Sequence, residues 1–373
     1  MINRYLESII EGRMGQGKAI VLFGARQVGK TTMLKNLLAR RDDVLWLNGD
    51  EQDVRNLFEN VSSTMLKTII GKKSVVVIDE AQRISDIGIG IKLITDNIPD
   101  VQVLATGSSS FDLSNKINEP LTGRKLEYWM YPLSFGELVE HHGLLEEKRL
   151  LAHRLIYGSY PDVINNVGDE RKILTELANS YLYKDILMFD KIKKSDKLVK
   201  LLQALAFQMG SEVSYNELAQ TCGLDPKTVE SYVTLLEQSY IIFRLGSFSR
   251  NLRNELKFAR KIYFWDCGIR NAVIGNYQML ESRLDTGALF ENYMVAERLK
   301  KLRYEKSYAK SYFWRSKLRQ EIDYIEEMDG QLAAVEFKWN PNRKAAMPLS
   351  FSRSYPDVDF KVVTRDNFET FLL

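Results

Sequence analysis

Apolar positions in the first third of the chain come in short blocks separated by polar or glycine residues. Residues 19–23 (Ala-Ile-Val-Leu-Phe) and 75–78 (Val-Val-Val-Ile) are uninterrupted, and 44–47 and 101–105 are nearly so. Continuous β-branched and aliphatic runs of this length predict strands buried on both faces of a parallel sheet. Between them the spacing turns helical, after residue 32, through about Leu66, and around Ile91 and Ile94. Residues 1–18 predict a short amphipathic helix with Leu6, Ile9 and Ile10 on one side. A further strand is expected within 121–135. Strands alternating with helices at this spacing predict a right-handed αβα layer.

The pattern then changes. From about Phe135 to Met209, leucines recur at three- and four-residue intervals, which predicts helices. Residues 213–236 predict a helix, a turn at Gly223 and a second helix, with Ser214 and Glu217 forming a capping box and Asp225-Pro226 opening the second helix. Two apolar runs follow, 241–245 and 261–265, as the strands of a wing, so the segment has a winged-helix pattern. Near the C-terminus a helix over 288–297 precedes a strand at 322–325, a hairpin turn at Gly330-Gln331 and a returning strand at 334–339.

Chemistry concentrates where the strands end. The first strand runs into Gly24-Ala25-Arg26-Gln27-Val28-Gly29-Lys30-Thr31-Thr32, a G-x-x-x-x-G-K-T phosphate-binding loop. Glycines at both ends let successive N–H groups point inward, and the following helix N-terminus adds partial positive charge. Lys30 is expected at the β- and γ-phosphates of a nucleotide and Thr31 on Mg²⁺. The run 74–78 ends in Asp79-Glu80 and reads as a Walker B strand, with Asp79 toward the metal and Glu80 toward the attacking water. The strand at 101–106 ends in Thr106-Gly107-Ser108-Ser109-Ser110, whose hydroxyls either face the γ-phosphate or form a polar turn. Arg124 is a candidate charge-stabilising finger for the nucleotide of its own or a neighbouring subunit, or else a solvated surface arginine. No N/T-K-x-D-like guanine-reading element is present, which leans the nucleotide toward ATP.

The totals narrow the alternatives. A chain of 373 residues exceeds one typical core. Two cysteines and three histidines leave no disulfide framework, thiolate zinc cluster or Ser-His-Asp triad to build. The net charge of +3 demands that any nucleic-acid surface be local. No apolar run approaches the ~20 residues of a membrane helix, and the N-terminus lacks a signal-peptide core, so no membrane is expected and a cytoplasmic location follows by default.

Local basic density does occur. Arg244, Arg250, Arg253, Lys257, Arg260 and Lys261 lie along the wing against the single acid Glu255, a candidate phosphate-neutralising surface for DNA. Winged helices also serve protein contacts, and the second helix carries Glu230 and no arginine. Lys191, Lys193, Lys194, Lys197 and Lys200 form a second basic run, of the kind that is usually solvated. In the C-terminal hairpin Glu336 and Lys338 share a face, because side chains alternate along a strand, and Asp323 lies across from them. Two acids and a lysine are what metal-dependent phosphodiester cleavage requires; an edge hairpin with an ordinary cross-strand Asp/Lys pair has the same spacing.

Taken together, the G-A-R-Q-V-G-K-T-T loop, V-V-V-I-D-E, L-A-T-G-S-S-S, T-G-R, Y-F-W-D-C-G-I-R-N, E-I-D-Y-I and V-E-F-K-W resemble the prokaryotic AAA-type P-loop ATPases with a C-terminal domain of unknown function related to PD-(D/E)xK nucleases. The resemblance implies an α/β fold with a P-loop αβα core at 1–135, a helical and winged-helix middle at 136–279 and a restriction-endonuclease-like domain at 280–373. It implies ATP and Mg²⁺ as cofactors, held by the loop residues and Asp79. It also implies a nuclease-like site at Glu291, Asp323, Glu336 and Lys338. DNA, or a protein partner, is expected for the C-terminal half.

Overall fold

The computed structural model describes residues 2–108, 116–179, 195–249, 260–316 and 318–373. Ser109, Ser110, Lys191, Lys193, Lys194, Arg250, Arg253, Glu255 and Lys257 lie outside the described residues. The chain divides into two units, residues 1–131 with 238–240, and residues 132–237 with 241–373.

In the first unit the apolar blocks form a five-stranded parallel sheet from β1 (Ala19–Gly24), β2 (Val44–Asn48), β3 (Val75–Asp79), β4 (Gln102–Gly107) and β5 (Lys125–Met130), in the order β2-β3-β4-β1-β5. Burial follows position in the sheet. Every residue of β1 and β4 and the first four of β3 are buried, whereas the edge strands β2 and β5 are mixed. Fully burying one such aliphatic side chain contributes about 1.5–3 kcal/mol, so these blocks dominate the unit's stability. The first helix, α1 (Tyr5–Glu11), buries Leu6 and Ile10. Helix α2 (Lys30–Leu37) leaves the first strand, α3 (Gln52–Leu57) and α4 (Ser63–Ile70) follow β2, and α5 (Ile87–Asn97) precedes β4. Gly90 on α5 lets the helix close on Phe58, since a Cβ there would stand 2.5 Å from that ring.

The second unit begins with short helices, from Phe135–His142 to Glu170–Leu177. The Phe135–His142 helix has a full capping box from Ser134 and Glu137. At the 214 position Ser214 does accept the Glu217 N–H. Next come the helix Ser195–Phe207, the short β6 (Glu212–Val213), the helices Tyr215–Cys222 and Pro226–Gln238, and the hairpin strands β7 (Ile242–Ser247) and β8 (Arg260–Phe264). Gly223 closes its helix at φ 64°, and Asp225 caps the next through Thr228.

These strands do not form a sheet of their own. After the helices Cys267–Ile274 and Thr286–Tyr304, β9 (Lys310–Arg315), β10 (Glu321–Met328), β11 (Gln331–Lys338) and β12 (Asp359–Thr364) join them in one seven-stranded sheet, β12-β11-β10-β9-β7-β8-β6. The bridge is the parallel pairing of β7 with β9, Gly246 opposite Tyr312 and Ser247 opposite Phe313. The sheet therefore runs across position 279/280. The hairpin between β10 and β11 turns at Asp329-Gly330, one residue before the expected pair, with Met328 opposite Gln331. Both turn residues have positive φ, 52° and 82°, as a two-residue type I′ turn demands.

Among the described residues no helix is long and apolar enough to cross a membrane.

Candidate nucleotide site

β1 delivers the loop to the C-terminal edge of the parallel sheet, where open α/β sheets bind ligands. Gly24 has φ 154°, and a Cβ there would lie 2.2 Å from the Met130 carbonyl oxygen, so only glycine lets the loop leave β1 against β5. Gln27 and Gly29 follow with φ 58° and 96°, a sequence of positive-φ residues that turns backbone N–H groups toward one concavity. Lys30 is buried. Its Nζ donates to the carbonyls of Gly24 and Ala25, both at 2.8 Å, so the ammonium spans the loop from inside. Ala25 and Val28 are buried beneath the loop, Arg26 and Thr31 are partly exposed, and Gln27 and Thr32 are exposed.

Strand order brings the other groups to this loop. Because β4 lies between β1 and β3, its end stands between the loop and Asp79. The Thr31 hydroxyl lies 2.9 Å and 3.1 Å from the two Asp79 carboxylate oxygens. The Thr106 hydroxyl donates to the same carboxylate and accepts the Glu80 N–H at 3.1 Å. Thr106 thus belongs to the site and is not a solvated turn. Glu80 has φ 50° and ψ 41°, a left-handed conformation that costs a non-glycine residue of order 1–2 kcal/mol. Its carboxylate accepts from Gln82 Nε2, which also donates to Ser108 Oγ at 3.0 Å. A left-handed backbone and the Gln82 amide restrain this carboxylate.

Arg4, at the N-terminal boundary of α1, was not singled out by any motif. The residue is 7% exposed, and its guanidinium donates to the Val28 carbonyl and the Tyr131 carbonyl, each at 2.6 Å. It therefore ties the loop to the end of β5. A lone arginine so far upstream gives no sequence signal; only the tertiary contact identifies it.

Arg124 is elsewhere. It precedes β5, whose Lys125 pairs with Ala19 at the start of β1, and its carbonyl accepts the Ala19 N–H. That is the opposite edge of the sheet from the loop, about 20 Å away at ~3.3 Å per strand residue. Its guanidinium pairs with Asp96 at 2.6 Å. The expectation that Arg124 serves the loop of its own chain is corrected by this register.

The donor set fits a magnesium-bound triphosphate. Inward N–H groups and one ammonium suit phosphate oxygens, and a hydroxyl beside a carboxylate supplies the hard oxygen ligands that Mg²⁺ prefers. Fold and loop together define a P-loop nucleotide-binding domain. Residues 16–139 match the family described as an AAA domain, which supports an AAA-type, ATP-binding module in this part of the chain.

Residues 148–279 and 286–370 match two further families, each described as a domain of unknown function, DUF8612 and DUF4143. The chain is similar to an uncharacterized protein of Methanocaldococcus jannaschii, 22% identical over 95% of this chain and 84% of the relative. An uncharacterized protein of Haemophilus influenzae is 24% identical over 68% of this chain and 69% of that protein. Among solved structures, the Walker-type ATPase PABY2304 of Pyrococcus abyssi shares the fold at a TM-score of 0.52, with 15% identity over 74% of this chain and 96% of that one.

The second constellation lies in the other unit. Glu291, on the helix Thr286–Tyr304, accepts from Tyr263 Oη at 2.7 Å and pairs with Lys261 at 3.0 Å. Asp323 on β10 accepts the Phe337 N–H at 2.8 Å. Glu336 pairs with Lys338 at 2.7 Å. Burial, with the charges of Glu291 and Glu336 nearby, pushes the Asp323 carboxyl up to about 8. Glu291, Asp323 and Glu336 are thus electrostatic neighbours, and Lys338 joins them through Glu336. Yet among the described residues no group of three or more His, Cys, Asp or Glu side chains is arranged to hold a metal ion.

Two expected wing cations are also committed elsewhere. Arg244 is bonded to Glu237 through Nε at 2.9 Å, and Lys261 is buried among carboxylates. The Lys197 ammonium donates to the Gly223 carbonyl.

Proposed function

We propose that the protein is a Mg²⁺-dependent ATPase whose nucleotide state governs the second unit. The observation that carries the reading is the linked set Lys30, Thr31, Asp79, Thr106 and Glu80 at one sheet edge. The loop N–H groups and Lys30 bind and orient the β- and γ-phosphates. Thr31 and Asp79 would hold Mg²⁺, which when bound would neutralise charge on the phosphate oxygens. Glu80, set by its left-handed backbone and by Gln82, orients a water and takes its proton. Thr106 ties the Asp79 carboxylate to the Glu80 backbone N–H, so one hydroxyl links the two acid positions. Phosphate release from ATP with and without Mg²⁺ tests the reading.

Arg124 has no part in this per-chain mechanism. Arg124→Ala is expected to leave phosphate release within about twofold of wild type, because the side chain is paired at the far edge. A fall of ~10³ or more with the fold intact would place it instead on the nucleotide of a neighbouring subunit.

The order helix, β6, helix, helix, β7, β8 supports a winged-helix reading of residues 195–264, with DNA as its partner. Arg260 and, outside the described residues, Arg250, Arg253 and Lys257 are then the phosphate contacts, since Arg244 and Lys261 are internally paired. Neutralising Arg250, Arg253, Lys257 and Arg260 together is expected to weaken DNA binding and reduce its salt dependence by about one log-log unit per lost contact. Unchanged binding isotherms would favour a protein partner for this unit.

A further inference from the structure

The C-terminal carboxylates already hold a cation, and it belongs to the chain. Lys261 projects from β8 and is 2% exposed. Its Nζ lies 3.0 Å from Glu291 Oε1 and forms a second ion pair with Glu321. The Phe313 ring covers it at 5.4 Å. Burial alone would favour the neutral amine, but the Glu291 and Glu321 carboxylates in direct contact hold it as an ammonium.

We propose that the Lys261 ammonium is the resident cation of the Glu291, Glu321 and Asp323 centre, and that it excludes a divalent metal ion from it. Other groups engage the neighbouring acids as well. Glu336 is paired with Lys338, Asp323 Oδ2 takes the Phe337 N–H, and Glu291 Oε1 takes the Tyr263 hydroxyl. A divalent ion needs several oxygens free of other cations, and here two ammonium groups stand among the acids. The residues named by the nuclease resemblance therefore do not fit a bound Mg²⁺. The inference is independent of the nucleotide site, and it predicts a chain that does not cut DNA.

Mn²⁺ titration of the nucleotide-free full chain tests it by electron paramagnetic resonance, with Asp323→Asn assigning any binding to this centre. Wild type is expected to show no Asp323-dependent Mn²⁺ uptake, and no Mn²⁺-dependent DNA cleavage. Lys261→Met leaves buried carboxylates without their counter-charge. It is expected to bind Mn²⁺ at least about tenfold more tightly than wild type and to lose that gain when Asp323→Asn is added. Should Lys261→Met fail to fold, Lys261→Gln carries the same test through thermal melting, with a Mn²⁺-dependent rise in Tm expected for the variant and none for wild type. Asp323-dependent Mn²⁺ binding or cleavage by wild type overturns the proposal. So does a folded Lys261 variant that gains no metal affinity or Mn²⁺-dependent rise in Tm.

Discussion

Lys30→Ala is expected to abolish ATP uptake while leaving the chain folded. The Lys30 ammonium sits inside the loop, bonded to the Gly24 and Ala25 carbonyls, and in the bound state the same charge faces the β- and γ-phosphates. An ammonium against phosphate in a partly dehydrated loop is worth a few kcal/mol, so removing it weakens the Kd by about 10² or more. A second effect acts in the same direction. Without Nζ the two carbonyls lose their common donor, and the loop loses part of the restraint that holds its N–H groups inward. Thermal melting separates binding from folding. For wild type, ATP at about 100 times its Kd adds ~2.7 kcal/mol to stability, whereas Lys30→Ala should melt at the same temperature with and without ATP. An undiminished ATP-dependent rise in the variant would remove the phosphate-binding role assigned to this loop.

Glu80→Gln is expected to separate binding from turnover. The amide keeps the length of the side chain and the left-handed backbone of residue 80, but it cannot take a proton from water. General-base contributions are typically 10²–10⁴ in rate, so kcat should fall by that factor while the Kd for ATP stays within a few-fold. Asp79→Asn makes the useful contrast, because its loss acts through Mg²⁺ and should alter the metal requirement as well as the rate. Single-turnover phosphate release, measured at saturating ATP, distinguishes the two. If Glu80→Gln turns over at the wild-type rate, the base lies elsewhere at the site, and the Thr106 and Gln82 network around Glu80 serves only to cap the end of β3.

The nucleotide site was largely legible because its requirements are local. Gly24 and Gly29 are glycines for conformational and steric reasons that act within a few residues, and β3 announces itself by an apolar run that ends in two acids. The Asp329-Gly330 turn was equally local: both residues take positive φ, and the Asp-Gly pair was there to read, although the expected turn fell one residue late. Other features depend on register between distant strands. Nothing near Arg124 says that it lies just before β5, whose Lys125 stands opposite Ala19, at the wrong edge for the loop. Nothing near Arg4 points to Val28 and Tyr131.

Lys261 shows the limit most clearly. In the sequence it is one of several cations beside Arg260, and its natural reading is a phosphate contact on a wing. In the fold, the alternation of β8 turns it inward, and the helix Thr286–Tyr304 and β10 bring Glu291 and Glu321 to it. Whether its anionic partner is an internal acid or an external phosphate is fixed by elements 30 and 60 residues away. The pairing of β7 with β9, which joins the wing hairpin to the C-terminal strands in one sheet, is of the same kind.

The sequence by itself determined that this chain has a phosphate-binding loop between a buried strand and a helix, and a second buried strand ending in Asp79 and Glu80, because backbone sterics and burial act over a few neighbouring residues. Tertiary structure alone decided that β4 stands between those strands, that Arg4 braces the loop, and that the C-terminal carboxylates enclose an ammonium, because strand order and long-range charge pairing are set by contacts between segments far apart in the chain.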